Sequence, residues 1–248
     1  MYRTHEGRTA VVTGAARGLG QAICLALAER GADVAGIDIA DLGETGDLVR
    51  AAGGNWLAVR ADVSVAADVA TALGEVMGRF GRCDILVNNA GIYGYVAWDD
   101  LDWETWRRFH QVNLDSQFFM CKAFVPGMKA HGWGRIVNLT SDSVAVPIPG
   151  TVAYKTTKMA IIGFTRGLAA DLAPHGITVN AASPSLTRTP GVIERMGEER
   201  LRQIAERQMI RKVAEPQDFV GLVLFLTGED AHFVTGQTLF ADGGLAFA

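Results

Sequence analysis

The sequence predicts an α/β fold of the doubly wound kind: one domain, a seven-stranded and mostly parallel sheet, and helices on both faces. Three observations carry that expectation. Short apolar runs rich in β-branched residues recur seven times, a longer Ala- and Leu-rich stretch with helical spacing follows each, and glycines such as Gly31, Gly81 and Gly176 fall at the joints. Strands that alternate with helices form right-handed crossovers, and these give a parallel sheet covered on both sides.

Thr9–Thr13 opens the series, and Thr13-Gly14-Ala15-Ala16-Arg17-Gly18-Leu19-Gly20 turns it into a helix from Gln21 to Glu29. Asp33–Ile37 and Trp56–Ala61 are the second and third runs. Ile85–Asn88, the fourth, leads through Asn89-Ala90-Gly91 toward one long helix from Trp103 to Lys129. Arg135–Leu139 delivers Thr140-Ser141 at its carboxyl end, and a helix over Tyr154–Leu172 follows. Thr178–Ala181 is the sixth run and Thr238–Phe240 the seventh. Between those two, Pro184 to about Arg211 breaks the rhythm: Ser, Thr, Pro and Gly come first, then a charged amphipathic stretch from Glu194. Long connections of this kind often cover active sites, so a lid is expected over about residues 185–211. No linker interrupts residues 1–248, which read as a single domain.

Composition bounds the partners. The chain has 248 residues, 49% of them hydrophobic and 20% charged, with a net charge of −4; mean hydropathy is +0.16 and the isoelectric point is near 5.7. An acidic globular chain lacks the basic face that nucleic acid demands, so a small molecule or a protein is the expected partner. Cys24, Cys83 and Cys121 are far apart and form no CxxC pair, which argues against a disulfide framework or a zinc site and for three buried thiols. His5, His110, His131, His175 and His232 lie in different elements, so no metal is expected, and surface positions are. No apolar run approaches the roughly 18 residues of a membrane span and no signal core opens the chain, so a cytoplasmic location is expected.

The glycine-rich turn has the spacing Gly-x-x-x-Gly-x-Gly at Gly14, Gly18 and Gly20, between a strand and a helix. Glycines there let the backbone approach a pyrophosphate, and the helix N-terminus supplies N–H donors and a favourable dipole. Asp38 ends the second run, 18 residues after Gly20, near the spacing of the acidic residue that binds an adenosine ribose. A carboxylate there accepts the ribose hydroxyls and repels a 2′-phosphate, favouring NAD over NADP; the bland alternative is a loop cap for the next helix.

Tyr154 and Lys158 stand one helical turn apart on one face, where an ammonium can stabilise phenolate and draw a group of ordinary pKa of about 10 toward the working pH. Ser141, 13 residues before Tyr154, sits at the strand edge where doubly wound sheets bind ligands, and its hydroxyl can hold a substrate carbonyl beside the phenol. Asn88-Asn89-Ala90-Gly91 and Asn113 complete the set.

In order and spacing these residues resemble the short-chain dehydrogenase/reductase family over essentially the whole chain, from Gly7 to Ala241-Asp242-Gly243-Gly244. The resemblance implies a Rossmann fold, an NAD(P)-dependent oxidoreductase and a homotetramer. It implies that Tyr154 is the general acid/base, that Lys158 lowers the phenol pKa and holds the nicotinamide ribose, that Ser141 orients the carbonyl and that Asn113 holds a proton-relay water. It also makes Asp62 and Val63 the adenine contact, Asn89, Ala90 and Gly91 the ribose-side wall, and Pro184, Ser185, Leu186, Thr187 and Thr189 the nicotinamide end, with Leu19 in the glycine turn. Two departures stand out. Ser185 replaces the glycine usual after that proline, reducing backbone freedom, and Arg17 precedes Gly18, where NADP-preferring relatives often carry a basic residue.

Within the family the chain resembles bacterial secondary-alcohol dehydrogenases of the 1-phenylethanol type, through the stretches Phe80–Tyr93, Lys122–Lys129 with Gly132–Arg135, and Pro184-Ser185-Leu186. The expected substrate is a secondary alcohol or ketone in a mainly apolar pocket of Ile92, Tyr93, Tyr95, Val144, Val146, Pro147, Ile148 and Pro149. A 3-oxoacyl-carrier-protein reductase using NADPH is the alternative that Arg188, Arg195, Arg200 and Arg202 keep open, and a dinucleotide-binding regulator without turnover is the reading from another class. Trp98, Trp103 and Trp106 are expected to pack the helix before Asn113. Ile161, Ile162, Phe164 and Leu168 suit either a subunit interface or a face buried within the monomer.

Overall fold

Each expected run forms a strand in the computed structural model, which describes residues 3–247. The strands are β1 (Thr9–Thr13), β2 (Asp33–Asp38), β3 (Trp56–Arg60), β4 (Ile85–Asn88), β5 (Gly134–Leu139), β6 (Ile177–Pro184) and β7 (Thr238–Ala241). All pair in parallel, in the order β3-β2-β1-β4-β5-β6-β7. β6 runs three residues further than its apolar core suggests, to Pro184, because Ser183 and Pro184 still pair with Phe240 and Ala241.

Eight α-helices cover the sheet: α1 (Gly18–Glu29), α2 (Gly43–Ala51), α3 (Ala66–Phe80), α4 (Trp103–His110), α5 (Ser116–His131), α6 (Val152–Leu172), α7 (Pro190–Arg207) and α8 (Pro216–Thr227). The period of two along each strand divides the core. Ala10 and Val12 of β1 pack with Ile23 and Leu27 of α1 and Phe219 and Val223 of α8. Val11, between them, faces the other way, toward Val76 of α3, Phe124 and Met128 of α5 and Leu172 of α6. All three cysteines are buried and free.

The long helix expected from Trp103 to Lys129 is interrupted. Residues Gln111–Asp115 form a π-turn between α4 and α5, and such single-turn bulges inside helices are a common way to redirect a side chain at a functional position. Trp106 packs beside Tyr154, but Trp98 and Trp103 are 71% and 73% exposed, so the packing role expected of the three tryptophans holds for one. Ile161 is fully buried, and Phe164 and Leu168 pack against the core layer that holds Val11. Ile161 therefore belongs to the monomer's interior, while Ile162, Phe164 and Leu168 are half-buried. Among the described residues, no helix is long and apolar enough to cross a membrane, and no cluster of metal-ligating side chains occurs.

His5 corrects the expectation of surface histidines. It is 2% exposed and its Nε2 shares a 2.9 Å hydrogen bond with the Thr227 hydroxyl at the end of α8. Burial, with help from the nearby Arg30 and Arg8 charges, lowers its pKa to about 4. The unfolded chain binds this proton from about pH 6.5 downward and the native chain only near 4, so stability is lost as pH falls through that window. Its size is at most about 3 kcal/mol. The expected result is that His5→Gln unfolds at a melting temperature that changes less between pH 6.5 and 4 than the wild type's, as followed by circular dichroism.

Candidate active site

The carboxyl ends of β1 and β4 are stitched together. The Thr13 hydroxyl accepts from the Asn89 and Ala90 N–H groups, both at 3.0 Å. The Asn89 amide in turn donates to the Thr13 carbonyl at 2.8 Å and the Gly14 carbonyl at 3.1 Å. The glycine turn closes against this stitch. Gly14 has φ +66°, and a Cβ on Gly20 would stand 2.0 Å from the Gly14 oxygen and 2.7 Å from the Asn89 amide nitrogen. Only glycine fits at that crossing.

Asp38 completes the turn from β2. One carboxylate oxygen accepts from Ala16 N–H at 3.0 Å and the other from Ala40 N–H at 2.9 Å, so the group braces the turn and keeps lone pairs free. Arg17 leans the other way and pairs with Glu194 of α7 at 3.5 Å. Asp62, after β3, accepts from the Ser64 N–H and hydroxyl, while Val63 is buried in the core under α3.

The π-turn delivers Asn113 into full burial. Its Oδ1 accepts from Ile92 N–H at 2.7 Å, and its amide donates to the Ile92 carbonyl at 3.0 Å and the Thr157 hydroxyl at 3.1 Å. The side chain thus joins the segment after β4 to α6 through three hydrogen bonds. On α6, Lys158 Nζ donates to the Leu139 carbonyl at 2.8 Å, and the Thr140 hydroxyl donates to the Lys158 carbonyl at 2.8 Å. The Ser141 hydroxyl accepts from Ser143 N–H at 3.2 Å and lies 3.4 Å from an Asp142 oxygen. The Tyr154 ring is held edge-on by Tyr93, with centroids 4.7 Å apart.

Burial dominates the electrostatics. It pushes the Tyr154 phenol up to about 12, against the lowering effect of the Ser141 hydroxyl, and the Asp142 charge adds to the rise. Burial also lowers Lys158 to about 8. The ammonium lies 5.8 Å from the Tyr154 ring centroid. In the chain by itself desolvation therefore outweighs the downward pull expected of Lys158.

A cavity of about 330 Å³ opens in front of these groups. Ser141 and Tyr154 line it, as do Arg17, Leu19 and Gly91 from the expected cofactor side. Pro184, Ser185, Leu186, Thr187 and Thr189 line it from the β6 end. Gly14, Gly18, Gly20, Asp38, Asp62, Val63, Asn89, Ala90, Asn113 and Lys158 do not contribute to its lining. Of the expected apolar wall, Ile92, Tyr93, Tyr95, Val146 and Ile148 line the cavity, whereas Val144 and Pro147 do not and Pro149 lines a neighbouring opening. Serine at 185 causes no backbone strain, since among the described residues only glycines have positive φ. Its hydroxyl hydrogen-bonds the Gln208 side chain at 2.9 Å, tying the β6 end to the end of α7.

Asp142 and Ser143 fall in the loop of residues 142–152 and Val192, Met196 and Ile204 in the segment of residues 191–211, both of which the sequence places along the pocket without assigning these residues a role; Leu245 is the lining residue that sequence reasoning missed. Val192, Met196 and Ile204 recur at helical intervals, so the amphipathic pattern of the lid held their signal. Asp142 follows Ser141 directly but carried no pattern of its own. It is buried, and desolvation pushes its carboxyl up to about 6, with the Ser185 hydroxyl opposing and Asp242 reinforcing the rise. The Ser143 hydroxyl is buried without a protein partner.

Comparison with known proteins agrees with this geometry. Residues 14–246 match the family described as enoyl-(acyl carrier protein) reductase. The chain is 35% identical over 252 residues to the D-beta-hydroxybutyrate dehydrogenase of Rhizobium meliloti, covering 96% of this chain and 98% of that one. It is also 35% identical over 245 residues to the 3-oxoacyl-(acyl-carrier-protein) reductase of Staphylococcus aureus, with 96% and 98% covered. The crystal structure of a 7α-hydroxysteroid dehydrogenase complexed with NADH and 7-oxo glycochenodeoxycholic acid superposes with a TM-score of 0.94 at 30% identity, over 98% of this chain and 95% of that one.

The Gly14–Gly20 crossing makes a stability prediction. Gly20→Ala forces backbone apart in a packed turn, so its urea midpoint should fall by the equivalent of about 1–3 kcal/mol relative to the wild type.

Proposed function

The chain belongs to the short-chain dehydrogenase/reductase family, and on that premise we propose that it is an NAD(H)-dependent oxidoreductase interconverting secondary alcohols and ketones, apolar or aryl substrates of the 1-phenylethanol kind among them. The observation that carries the proposal is the convergence of Ser141 and Tyr154, with Lys158 behind them, on a cavity walled by Ile92, Tyr93, Val146 and Ile148.

The residues present fit a nicotinamide dinucleotide. The glycine turn leaves backbone bare beside the N-terminus of α1, and Gly91 lacks a side chain where a Cβ would stand 3.2 Å from Asn113 Oδ1 and 3.6 Å from Lys158 Nζ. Gly14, Arg17, Gly18, Leu19 and Gly20 hold the pyrophosphate side, Asp38 the adenosine ribose, and Asp62 with Val63 the adenine. Asn89, Ala90 and Gly91 wall the ribose side, Lys158 and Tyr154 hold the nicotinamide ribose, and the Pro184–Thr189 segment meets the nicotinamide. When bound, the cofactor gives or takes the hydride.

The protein handles the proton. Tyr154 carries its proton at neutral pH, as any phenol does, and burial, which pushes its pKa up to about 12, reinforces that form; ketone reduction needs it, since the phenol donates to the substrate oxygen, and in alcohol oxidation the phenolate takes the proton back. The Ser141 hydroxyl, oriented by Ser143 N–H, donates a hydrogen bond to the same oxygen. Asn113 pins the segment after β4 and α6 together, fixing the distance between cofactor wall and phenol. Residues of about 185–211, chiefly α7 with its kink at Gly197, act as the lid. The assembly we propose, a homotetramer, rests on the family resemblance.

Arg17 favours a second reading, a 3-oxoacyl-carrier-protein reductase that uses NADPH, since an arginine beside the ribose can grip a 2′-phosphate. Asp38 argues against it, and its two backbone hydrogen bonds keep the carboxylate in place while Arg17 is drawn toward Glu194.

Two measurements test these assignments. Mixed with NAD⁺ and 1-phenylethanol, the wild type should produce reduced cofactor, and Tyr154→Phe should lower kcat by at least about 10²-fold while NADH affinity changes little. Near-normal turnover in that variant would remove Tyr154 from the chemistry. For the cofactor, the wild type should bind NAD⁺ more tightly than NADP⁺, and Asp38→Ala should narrow the ratio; tighter NADP⁺ binding by the wild type favours the carrier-protein reading.

A further inference from the structure

The charged groups of the cavity are distributed unequally. Its only carboxylate among the described lining residues is Asp142, at the inner end beside Ser141 and Tyr154. Three arginines of α7, Arg195, Arg200 and Arg207, border the cavity on the lid side. Arg195 and Arg200 also border the adjoining opening with Tyr95, Ile148 and Pro149, away from the glycine turn. Three of the four acids of α7 are engaged by other residues: Glu194 with Arg17 at 3.5 Å, Glu198 with Arg188 at 2.8 Å, and Glu199 with Arg202 at 3.8 Å; the fourth, Glu206, does not line the cavity. Among the described residues, none of the three cavity arginines has a carboxylate partner.

Arg195 is positioned by the active-site wall itself. Its Nη1 donates to the Tyr93 carbonyl at 2.5 Å, and the Tyr93 ring is the one that stands edge-on to Tyr154. Tyr93, Tyr95, Ile148 and Met196 line the same cavity as Arg195 and Tyr154. Arg200 lies close enough to oppose the rise in the Tyr93 pKa that burial causes. Its own hydrogen bond is a 3.3 Å contact to Gln203 on the same helix.

Resting on the dehydrogenase reading above, we infer that the substrate is a ketone or secondary alcohol with an anionic group, a carboxylate, sulfonate or phosphate, at the end of an apolar spacer, and that Arg195 and Arg200 receive that anion. A planar guanidinium with no carboxylate partner of its own binds such a group through charge-assisted, often paired hydrogen bonds. Asp142 repels the same group from the inner end. The two together orient the substrate, carbonyl inward to Ser141 and Tyr154 and anion outward.

The test compares 4-acetylbenzoate, its methyl ester, 4-acetylbenzenesulfonate and acetophenone as substrates for reduction, with NADH and with NADPH. The wild type should show kcat/KM for 4-acetylbenzoate about tenfold above that for the ester, mainly through KM, and raising NaCl to 0.5 M should shrink the advantage. Comparable rates for the sulfonate identify a general anion site, and a lower one identifies a carboxylate site. In the Arg195→Gln/Arg200→Gln double variant, checked by its melting temperature for folding, the ratio of acid to ester should fall to about one. Equal rates for acid and ester in the wild type, or a preference that survives the double substitution, overturns the inference. Reduction of acetophenone without any advantage for the acids overturns the anion site and leaves the dehydrogenase reading standing, whereas no reduction of any of the four with either cofactor overturns both.

Discussion

The join between the carboxyl ends of β1 and β4 is the constraint on which the rest of the site depends. β1 lies between β2 and β4 in the sheet, so the chain leaves these neighbouring strand ends toward opposite faces, and a crevice opens where the directions diverge. Four hydrogen bonds between Thr13, Gly14, Asn89 and Ala90 keep that crevice from closing or widening. The glycine turn folds onto this join with no room for a Cβ at Gly20, and Asp38 braces it from β2. The cofactor wall is therefore built from backbone, which cannot rotate away as a side chain can.

A second device couples the opposite wall to the first. The π-turn aims Asn113 at the segment after β4, where its amide takes both the N–H and the carbonyl of Ile92 and reaches Thr157 on α6. An α-helix running unbroken from Trp103 would present that side chain at a different angle. Buried polar groups with every partner satisfied rigidify a core. The one network therefore spans the segment after β4, the π-turn and α6, the helix that carries Tyr154 and Lys158.

Around this frame the cavity is electrically graded. Tyr154, Lys158 and Asp142 are all desolvated, and in each case burial shifts the equilibrium toward the uncharged form. Cations gather on α7, a helix kinked at Gly197, where water screens them and their desolvation costs little. The inner end thus suits proton transfer to a neutral oxygen, and the outer end suits charge recognition.

Most of the framework was legible in the sequence because the signals are local. Apolar β-branched runs mark strands whose two faces are both buried, and the core confirms it at Val11 and Val12, which point to opposite layers. The glycine turn, Asn88–Gly91, Ser141, Tyr154 and Lys158 declare themselves by residue type and spacing, since each must occupy a fixed place at a strand end or on one helix face. Tertiary structure decided what depends on distant partners. The π-turn at Asn113 is selected by Ile92 and Thr157, His5 is buried because Thr227 receives it, and Asp142 enters the cavity because the end of β6 stands opposite. The same holds for the arginines. A sequence shows eight charges of both signs from Glu194 to Arg207, but only the path of α7 over the sheet determines that Glu194, Glu198 and Glu199 meet other partners while Arg195, Arg200 and Arg207 border the cavity.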